Sequence, residues 1–263
     1  MDLNEIIEAI PIKPYWREDC GVIYCADCLD VLKFIPDKAV DLVLTDPPYN
    51  IKYQYDDYSD DMSAQDYFEW QLGIVSDCGN TLNNDRSFLY LNYPEFAARM
   101  FWAAPEVCDV VPYEWISWIY NQHTGGEPLR KATRAWLWWR RGCPFIDNTY
   151  LVGDYKNPSD PRIKARIEAG FRPIDYDWWQ VEQVKNVSQE KTSHPCQLPI
   201  ELVSRLIGAT TVANSGWIVL DPFLGSGTTA VAAKQLGRKY IGIEISEKYC
   251  AIAKERLRQG ELF

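Results

Sequence analysis

Short apolar runs alternate with longer amphipathic stretches along most of the chain. Apolar runs of about four to six residues that end in Pro-, Gly- or Asp-rich turns predict buried strands, and apolar residues spaced three or four apart predict helices. The runs predict seven strands, near residues 22–25, 40–45, 87–91, 115–120, 134–139, 216–220 and 239–243. The stretches between them predict six helices, near residues 28–35, 65–82, 94–103, 197–212, 226–237 and 246–259.

This alternation also predicts the fold class. Strands that alternate with helices form a mainly parallel sheet covered on both faces, so we expect an α/β fold with seven strands. Residues 121–133 and 143–193 fit the pattern poorly, because they are rich in Gly, Pro, Asn and Asp. We therefore predict one main domain formed by residues 1–142 and 191–263, with a small insertion at residues 143–190.

Length and composition narrow the classes of protein. The chain has 263 residues, which is enough for one sizeable α/β domain. No apolar run approaches the roughly 20 residues that span a bilayer, and the N-terminus lacks the pattern of a signal peptide. We therefore expect a cytoplasmic protein with no membrane partner and with reduced cysteines. Cys25 and Cys28 are spaced like zinc ligands but lack a second pair, so no metal ion is expected.

The distribution of charge matters more than its sum. The net charge is −10, yet residues 130–172 hold 10 basic and 4 acidic residues, a net charge of +6. A local basic face can bind a nucleic acid even when the whole chain is acidic, although a solvated basic surface would give the same pattern. The residues predicted to contact DNA are Arg130, Lys131, Arg140, Arg141, Lys156, Arg162, Lys164 and Arg166.

The segment Asp221–Thr229, here called the glycine turn, joins a predicted strand to a predicted helix. Gly225 and Gly227 would let the backbone approach a ligand closely. Glu244 ends the next predicted strand, and a carboxylate at that place can accept hydrogen bonds from ribose hydroxyls. The pair favours a nucleoside-binding site over a tight turn with an exposed glutamate.

The segment Asp46–Tyr49, here called the proline turn, follows the strand predicted near residues 40–45. Its two prolines remove two N–H donors and fix the local backbone. The carbonyl oxygens and the Asp46 carboxylate remain as acceptors, and Tyr49 supplies a flat ring. These groups suit the amino group of an aromatic base, which must leave a duplex to reach them. A purely structural stop after a strand is the alternative.

These motifs resemble those of the amino-methyltransferase family of S-adenosylmethionine-dependent DNA methyltransferases. The proline turn matches the family's catalytic motif, and the glycine turn matches its Phe-x-Gly-x-Gly cofactor loop. The catalytic motif comes first, an order that resembles the β-class and implies a circularly permuted class I methyltransferase fold. The resemblance covers most of the chain except residues 143–190, which it implies are a target-recognition insertion beside the catalytic domain.

The resemblance also implies which residues bind S-adenosylmethionine. Asp27 matches the acidic residue near the cofactor adenine, and Glu244 matches the one that binds the ribose. Residues 193–199 resemble the His-Pro-Thr-Gln-Lys-Pro motif that closes over the methionine end, except that Cys196 and Leu198 replace Thr and Lys. The implied cofactor-binding residues are Asp27, Cys28, His194, Gln197, Asp221, Phe223, Gly225, Ser226, Gly227, Thr228 and Glu244, and the implied catalytic residues are Asp46, Pro47, Pro48 and Tyr49.

The reaction that the resemblance implies is direct methyl transfer to an exocyclic nitrogen of a flipped base in DNA, at a specific site, as in restriction-modification. Asp at the first motif position is typical of adenine-N6 enzymes, and Ser is more usual in cytosine-N4 enzymes, so Asp46 favours adenine. A cytosine-N4 enzyme, an RNA methyltransferase and a non-catalytic DNA-binding protein stay open. We also expect Trp118 or Tyr120 to line the base pocket, and family analogy implies a homodimer.

Overall fold

The computed structural model describes residues 1–52, 61–121, 129, 131–185, 188 and 190–259. Within these residues the strands are β1 (Trp16–Glu18), β2 (Gly21–Cys25), β3 (Val40–Thr45), β4 (Leu82–Asn92), β5 (Val111–Ile119), β6 (Thr133–Arg141), β7 (Trp178–Gln180), β8 (Ile218–Asp221) and β9 (Lys239–Glu244). The helices are α1 (Leu3–Ala9), α2 (Cys28–Leu32), α3 (Ala64–Thr81), α4 (Pro94–Val107), α5 (Pro161–Glu168), α6 (Ile200–Thr210), α7 (Thr228–Gln235) and α8 (Glu247–Gln259).

All of these strands belong to one sheet, in the order β1-β2-β9-β8-β3-β4-β6-β5-β7. Strands β1 and β6 run antiparallel to their neighbours. All pairs that do not include β1 or β6 are parallel. The prediction of seven strands was therefore wrong, because the sheet has nine strands and is mixed. The sequence missed β1 and β7 because each has three residues, of which at most one is buried.

Helices cover both faces of the sheet, as the alternation predicts. Successive strand residues point to opposite faces, so Val22 and Tyr24 of β2 join one apolar cluster and Ile23 joins the other. The first cluster includes residues of α1, α2, α3 and α4, and the second includes residues of α6, α7 and α8. Six of the helices match predicted ones, whereas α1 and α5 are additional.

Strands β8 and β3 lie side by side at the centre of the sheet, with Leu42 opposite Val219 and Val43 opposite Leu220. From β8 the chain passes through α7 to β9 on one side, and from β3 it passes through α3 to β4 on the other. The two connections thus diverge at the carboxyl ends of β8 and β3. Such a divergence opens a crevice where α/β proteins bind ligands.

The predicted insertion, residues 143–190, does not stand apart from the main sheet. It contains a 3₁₀ turn at Asn148–Tyr150, helix α5 and strand β7, and β7 pairs with β5 at the edge of the sheet. The division of the chain into a catalytic domain and a recognition insertion stays a prediction. In the part of the chain that the structure describes, no helix is long and apolar enough to span a membrane, and no cluster of His, Cys, Asp and Glu suits a metal ion.

Candidate active site

The carboxyl ends of β2, β9, β8 and β3 surround a cavity of about 270 Å³. Every residue of the proline turn lines it, and so does every predicted cofactor-binding residue except Gly227. The tertiary structure therefore brings together two motifs that lie about 170 residues apart in the chain. Met62, Trp70 and Tyr249 also line the cavity, and no motif in the sequence pointed to them.

Side-chain contacts hold the proline turn in place. The Tyr49 hydroxyl donates a hydrogen bond to the Asp46 carboxylate, and the Tyr67 hydroxyl donates one to the Pro48 carbonyl over 2.5 Å. The Tyr49 ring meets the Tyr93 ring edge to face, with centroids 5.1 Å apart. Hydrogen bonds therefore hold the turn on both sides of Pro47, at Asp46 and at Pro48.

A buried polar network lies behind the turn, and no motif in the sequence predicts it. Asn92 donates hydrogen bonds to the hydroxyls of Tyr67 and Tyr90, over 3.0 and 3.2 Å, and Tyr90 donates one to Gln71 over 2.8 Å. All four residues are buried. Because the Tyr67 oxygen accepts a hydrogen bond from Asn92, its own hydrogen can point toward the Pro48 carbonyl.

The electrostatics of the proline turn depend on burial and on one arginine. Burial raises the pKa of Asp46 to about 6, while the positive charge of Arg134 and the hydrogen bond from Tyr49 act in the opposite direction. Burial also raises the pKa of Tyr49 well above its usual value. At neutral pH the pair is therefore a carboxylate that accepts a hydrogen bond from a neutral phenol.

Backbone contacts shape the glycine turn. The Glu244 carboxylate accepts hydrogen bonds from the backbone N–H groups of Gly225 and Ser246, both over 2.8 Å. Gly225 has φ of +53°, a left-handed conformation that favours glycine, and a Cβ there would lie 3.0 Å from Nε2 of His194. Burial raises the pKa of Asp221 to about 7, although Thr229 and the N–H of Phe223 donate hydrogen bonds to its carboxylate.

Arg256 on α8 stabilises the glycine turn by hydrogen bonds. Its guanidinium donates hydrogen bonds to the carbonyl of Ser226 over 2.9 Å, and to the hydroxyls of Ser226 and Thr228 over 3.3 and 3.0 Å. Sequence reasoning missed this residue, because Arg256 lies in an ordinary amphipathic helix with no motif around it. Gly227 does not line the cavity and is instead the N-cap of α7, with φ of +85°.

The segment of residues 193–199, here called the closing segment, contributes two of the predicted residues. The side-chain amide of Gln197 forms hydrogen bonds with residues just before the segment. It accepts from the N–H and the hydroxyl of Thr192 and donates to the Glu190 carbonyl over 2.6 Å. His194 is 9% exposed, packs edge to face on Tyr249, and has no partner for Nδ1 among the described residues. Burial lowers the pKa of His194 to about 4, so the ring is neutral at pH 7.

Asp27 and Cys28 lie at the end of β2, where the chain enters α2. The Asp27 carboxylate caps this helix by accepting a hydrogen bond from the N–H of Leu29 over 2.9 Å. Burial raises the pKa of the Cys28 thiol to about 12, so the thiol stays protonated and contributes an apolar wall. Asp27 is exposed and lies on the rim of the cavity.

The predicted DNA contacts need one correction. Arg141 is 6% exposed, and its guanidinium donates hydrogen bonds to the backbone carbonyls of Leu82 and Asp109, so it cannot reach a nucleic acid. Arg130 lies outside the described residues. Arg140 is half-buried, with its guanidinium over the Tyr113 ring. The exposed members are Lys131, Lys156, Arg162, Lys164 and Arg166.

The expectation that Trp118 or Tyr120 lines the base pocket was also wrong. Both side chains are buried, at 1% and 2% exposure, and neither lines the cavity. They pack against each other and against Arg134, behind Tyr49. Trp118 of β5 and Tyr120, the residue after β5, lie two positions apart, so both side chains point to the same face of the sheet and join the second apolar cluster.

Comparison with curated proteins gives relatives over most of the chain. The type II methyltransferase M.BamHI of Bacillus amyloliquefaciens is 30% identical over 98% of this chain, which spans 62% of that relative's length. The DNA adenine methyltransferase YhdJ of Escherichia coli (strain K12) is 29% identical over 91% of this chain and 83% of its own length.

Solved structures give the same fold. The PvuII DNA methyltransferase, which is cytosine-N4-specific, superposes with a TM-score of 0.75 at 19% identity, over 97% of this chain and 92% of that one. The complex of M1.HpyAVI with S-adenosylmethionine superposes with a TM-score of 0.65 at 24% identity, over 90% of this chain and 98% of that one. A family model for DNA methylases, N6_N4_Mtase, matches residues 40–255, which include both turns. The chain therefore belongs to the N6/N4 methyltransferase family of DNA methylases.

Proposed function

We propose that the protein transfers a methyl group from S-adenosylmethionine to an exocyclic amino group of a base in DNA. One observation carries the proposal: the proline turn and the glycine turn, on adjacent strands, line the same cavity. One turn offers hydrogen-bond acceptors and a ring, and the other offers a close backbone and a carboxylate. Two reactants can therefore be held next to each other, which is the main requirement for direct transfer.

The residues around the glycine turn suit S-adenosylmethionine. Glu244 presents a carboxylate at the end of β9, where a ribose would be bound. Gly225 leaves space that a Cβ would fill, and His194 offers a buried ring nitrogen without a partner among the described residues. The structure of M1.HpyAVI with this cofactor supports the choice of ligand. S-adenosylmethionine supplies an activated methyl group there.

The proline turn would bind the amino group that receives the methyl. The Asp46 carboxylate accepts one of its N–H bonds, and the Pro47 carbonyl is the second acceptor that we expect. Tyr49 presents a ring against which a flipped base can stack, worth roughly 1–3 kcal/mol. Because its pKa of about 6 leaves Asp46 ionised at neutral pH, the carboxylate stabilises the positive charge that grows on the nitrogen.

Adenine N6 is the target that we favour. Asp46 at the first motif position supports it, and so does similarity to a DNA adenine methyltransferase of Escherichia coli. Cytosine N4 is the second candidate, because the superposition with the PvuII enzyme, specific for cytosine N4, has a TM-score of 0.75. Both targets present an amino group on a six-membered ring, so the turn's acceptors alone do not separate them.

The DNA duplex would lie over the open side of the cavity. The exposed basic residues Lys131, Lys156, Arg162, Lys164 and Arg166 are the phosphate contacts that we propose. The insertion at residues 143–190 would read the target site. Site-specific action within restriction-modification, and a homodimer, are further parts of the proposal that follow from family membership.

The test is methyl transfer with product identification. The protein is incubated with tritium-labelled S-adenosylmethionine and with DNA from a host that lacks methylation, and in parallel with RNA and with unrelated protein. We expect the label in DNA, and we expect digestion of that DNA to nucleosides to release it as N6-methyl-2′-deoxyadenosine. N4-methylcytosine would overturn the adenine assignment, label in RNA alone would overturn the substrate class, and no label would favour a non-catalytic DNA-binding protein.

A further inference from the structure

Arg134 is the most unusual charged side chain near the cavity. It stands at the start of β6, paired with Trp118 of β5, and is 8% exposed. Because β6 runs antiparallel to β4, the first residues of β6 lie beside the carboxyl end of β4, at the end of the sheet where the proline turn lies. No carboxylate of the described residues lies within ion-pair distance of Arg134, and its Nε has no hydrogen-bond partner there.

Aromatic rings surround this guanidinium instead. Its carbon lies 4.7 Å from the ring centroid of Tyr49, and 5.4, 5.5 and 5.7 Å from those of Trp118, Tyr93 and Tyr120. A desolvated cation over a ring gains about 2 kcal/mol or more. Four rings therefore offset part of the cost of burying the charge. The shortest of the four contacts is with the ring that bonds to Asp46.

We propose that Arg134 is a positioning residue for methyl transfer: its caged guanidinium fixes the Tyr49 ring and supplies the buried positive charge that faces the Asp46 carboxylate. The catalytic meaning of this inference rests on the proposed function. Arg134 touches neither the cavity nor any atom that reacts. It acts through Tyr49, which contacts both Arg134 and Asp46.

The groups that face Asp46 from the neighbouring elements have different charges. Arg134 of β6 is the cation, Tyr49 of the same turn donates a hydrogen bond, and Asp221 of β8 is a second buried carboxyl. The hydroxyls of Tyr90 and Tyr120 also face it, from β4 and from the residue after β5. Of these described groups, Arg134 is the one that favours the ionised carboxylate by its charge. Its removal should therefore make Asp46 harder to ionise.

The first test is the pH dependence of methyl transfer for wild type, Arg134→Met and Arg134→Lys. An opposite charge nearby changes the pKa of a carboxyl by about one unit or more, so the acid limb of Arg134→Met should move up by that amount. Its rate relative to wild type should then fall by up to about tenfold between pH 8.5 and pH 5.5. Arg134→Lys keeps the charge and should restore the acid limb toward its wild-type position.

Arg86→Met is the matched control. Arg86 is also poorly exposed and also covers a ring, that of Trp217 at 3.8 Å, but it pairs with Asp41 at the opposite end of the sheet. Its loss should lower the melting temperature without moving the acid limb. The profiles are repeated in the Asp221→Asn background, which removes the second buried carboxyl. An unchanged acid limb in Arg134→Met, or an equal shift in Arg86→Met, would overturn the proposal.

A second readout separates this inference from the proposed function. The Asp46 titration is followed by carbon NMR on protein labelled at the aspartate carboxyl groups, with Asp46→Asn to assign the resonance. The Asp46 midpoint should rise in Arg134→Met and return in Arg134→Lys, whether or not wild type methylates DNA. Failure of wild type to methylate any substrate would contradict the proposed function, whereas an unmoved NMR midpoint would contradict the role of Arg134.

Discussion

The two turns that meet at the cavity begin alike and are held differently. Each opens with an aspartate at the carboxyl end of a central strand, and burial raises the pKa of both, to about 6 for Asp46 and about 7 for Asp221. Asp46 bonds to the Tyr49 phenol and faces a caged cation. Asp221 bonds to its own turn, through the N–H of Phe223 over 3.0 Å and the hydroxyl of Thr229.

This difference indicates a division of labour. A carboxylate that faces a cation, on a turn fixed by side chains, is ready to accept hydrogen bonds from a substrate. A carboxyl whose acceptors are used within its own loop shapes that loop instead. We therefore expect mutations in the proline turn to change rate, and mutations in the glycine turn to change cofactor affinity or stability.

The sharpest test exchanges each aspartate for asparagine. Asp46→Asn should lower the rate of methyl transfer about 100-fold or more, because it removes the charge that supports the growing positive nitrogen. Asp221→Asn keeps an acceptor for Phe223 and should stay within about threefold of wild type, a free-energy change under about 1 kcal/mol. Single-turnover rates measure both, with cofactor affinity from calorimetry as the control. Equal losses in the two variants would contradict the division.

The two left-handed glycines sharpen the comparison within the glycine turn. Gly225→Ala would place a Cβ 3.0 Å from the His194 ring inside the cavity and strain the backbone by about 1–2 kcal/mol, so cofactor affinity should fall about tenfold. Gly227→Ala would press on the Cα and Cβ of Ala253 in α8 and should mainly lower the melting temperature. Calorimetry and thermal melts measure the two effects. A cofactor defect confined to Gly227→Ala would reverse our assignment.

Tyr67→Phe tests the network behind the proline turn. It removes the donor to the Pro48 carbonyl, and a buried acceptor without a donor costs about 1–3 kcal/mol. Part of this cost should appear as a rate about tenfold lower, with little change in cofactor affinity. Tyr24→Phe is the matched control, because the buried Tyr24 hydroxyl has no partner among the described residues. A rate loss in Tyr24→Phe would show that the effect is not local.

The smallest expected effect is the pH dependence of stability in Asp221→Asn. The folded state raises the pKa of Asp221 to about 7, so it binds a proton that the unfolded chain releases at lower pH. This group's contribution to stability is therefore lost as the pH rises toward and through 7. Asp221→Asn should melt about 2–4 °C above wild type at pH 8, and by less at pH 5. The same difference at both pH values would contradict the raised pKa.

Local pattern was enough for much of the fold. All seven predicted strands are present, because β2, β3, β4, β6, β8 and β9 hold continuous buried runs and the second half of β5 alternates between buried and half-buried residues. The short edge strands β1 and β7 could not be predicted from the local pattern. Each is a strand because it forms hydrogen bonds with a neighbouring strand, β2 or β5, and not because its own residues form an apolar run. The antiparallel direction of β6 could not be predicted from the sequence either, although it places Arg134 against the Tyr49 ring, at the end of the sheet that holds the proline turn.

The sequence alone determined that two turns with acceptor and glycine chemistry would follow buried strands, because strand-forming runs and Pro- or Gly-rich breaks are local properties. It determined their residues as well, so that the proline turn and Glu244 could be predicted by number. Only the tertiary structure decided that Arg134 is caged beside Tyr49, that Arg141 is buried, and that Arg256 fastens the glycine turn. The sequence does not distinguish a buried arginine from an exposed one. The role of each arginine depends on which distant rings, carbonyls and carboxylates the fold places next to it.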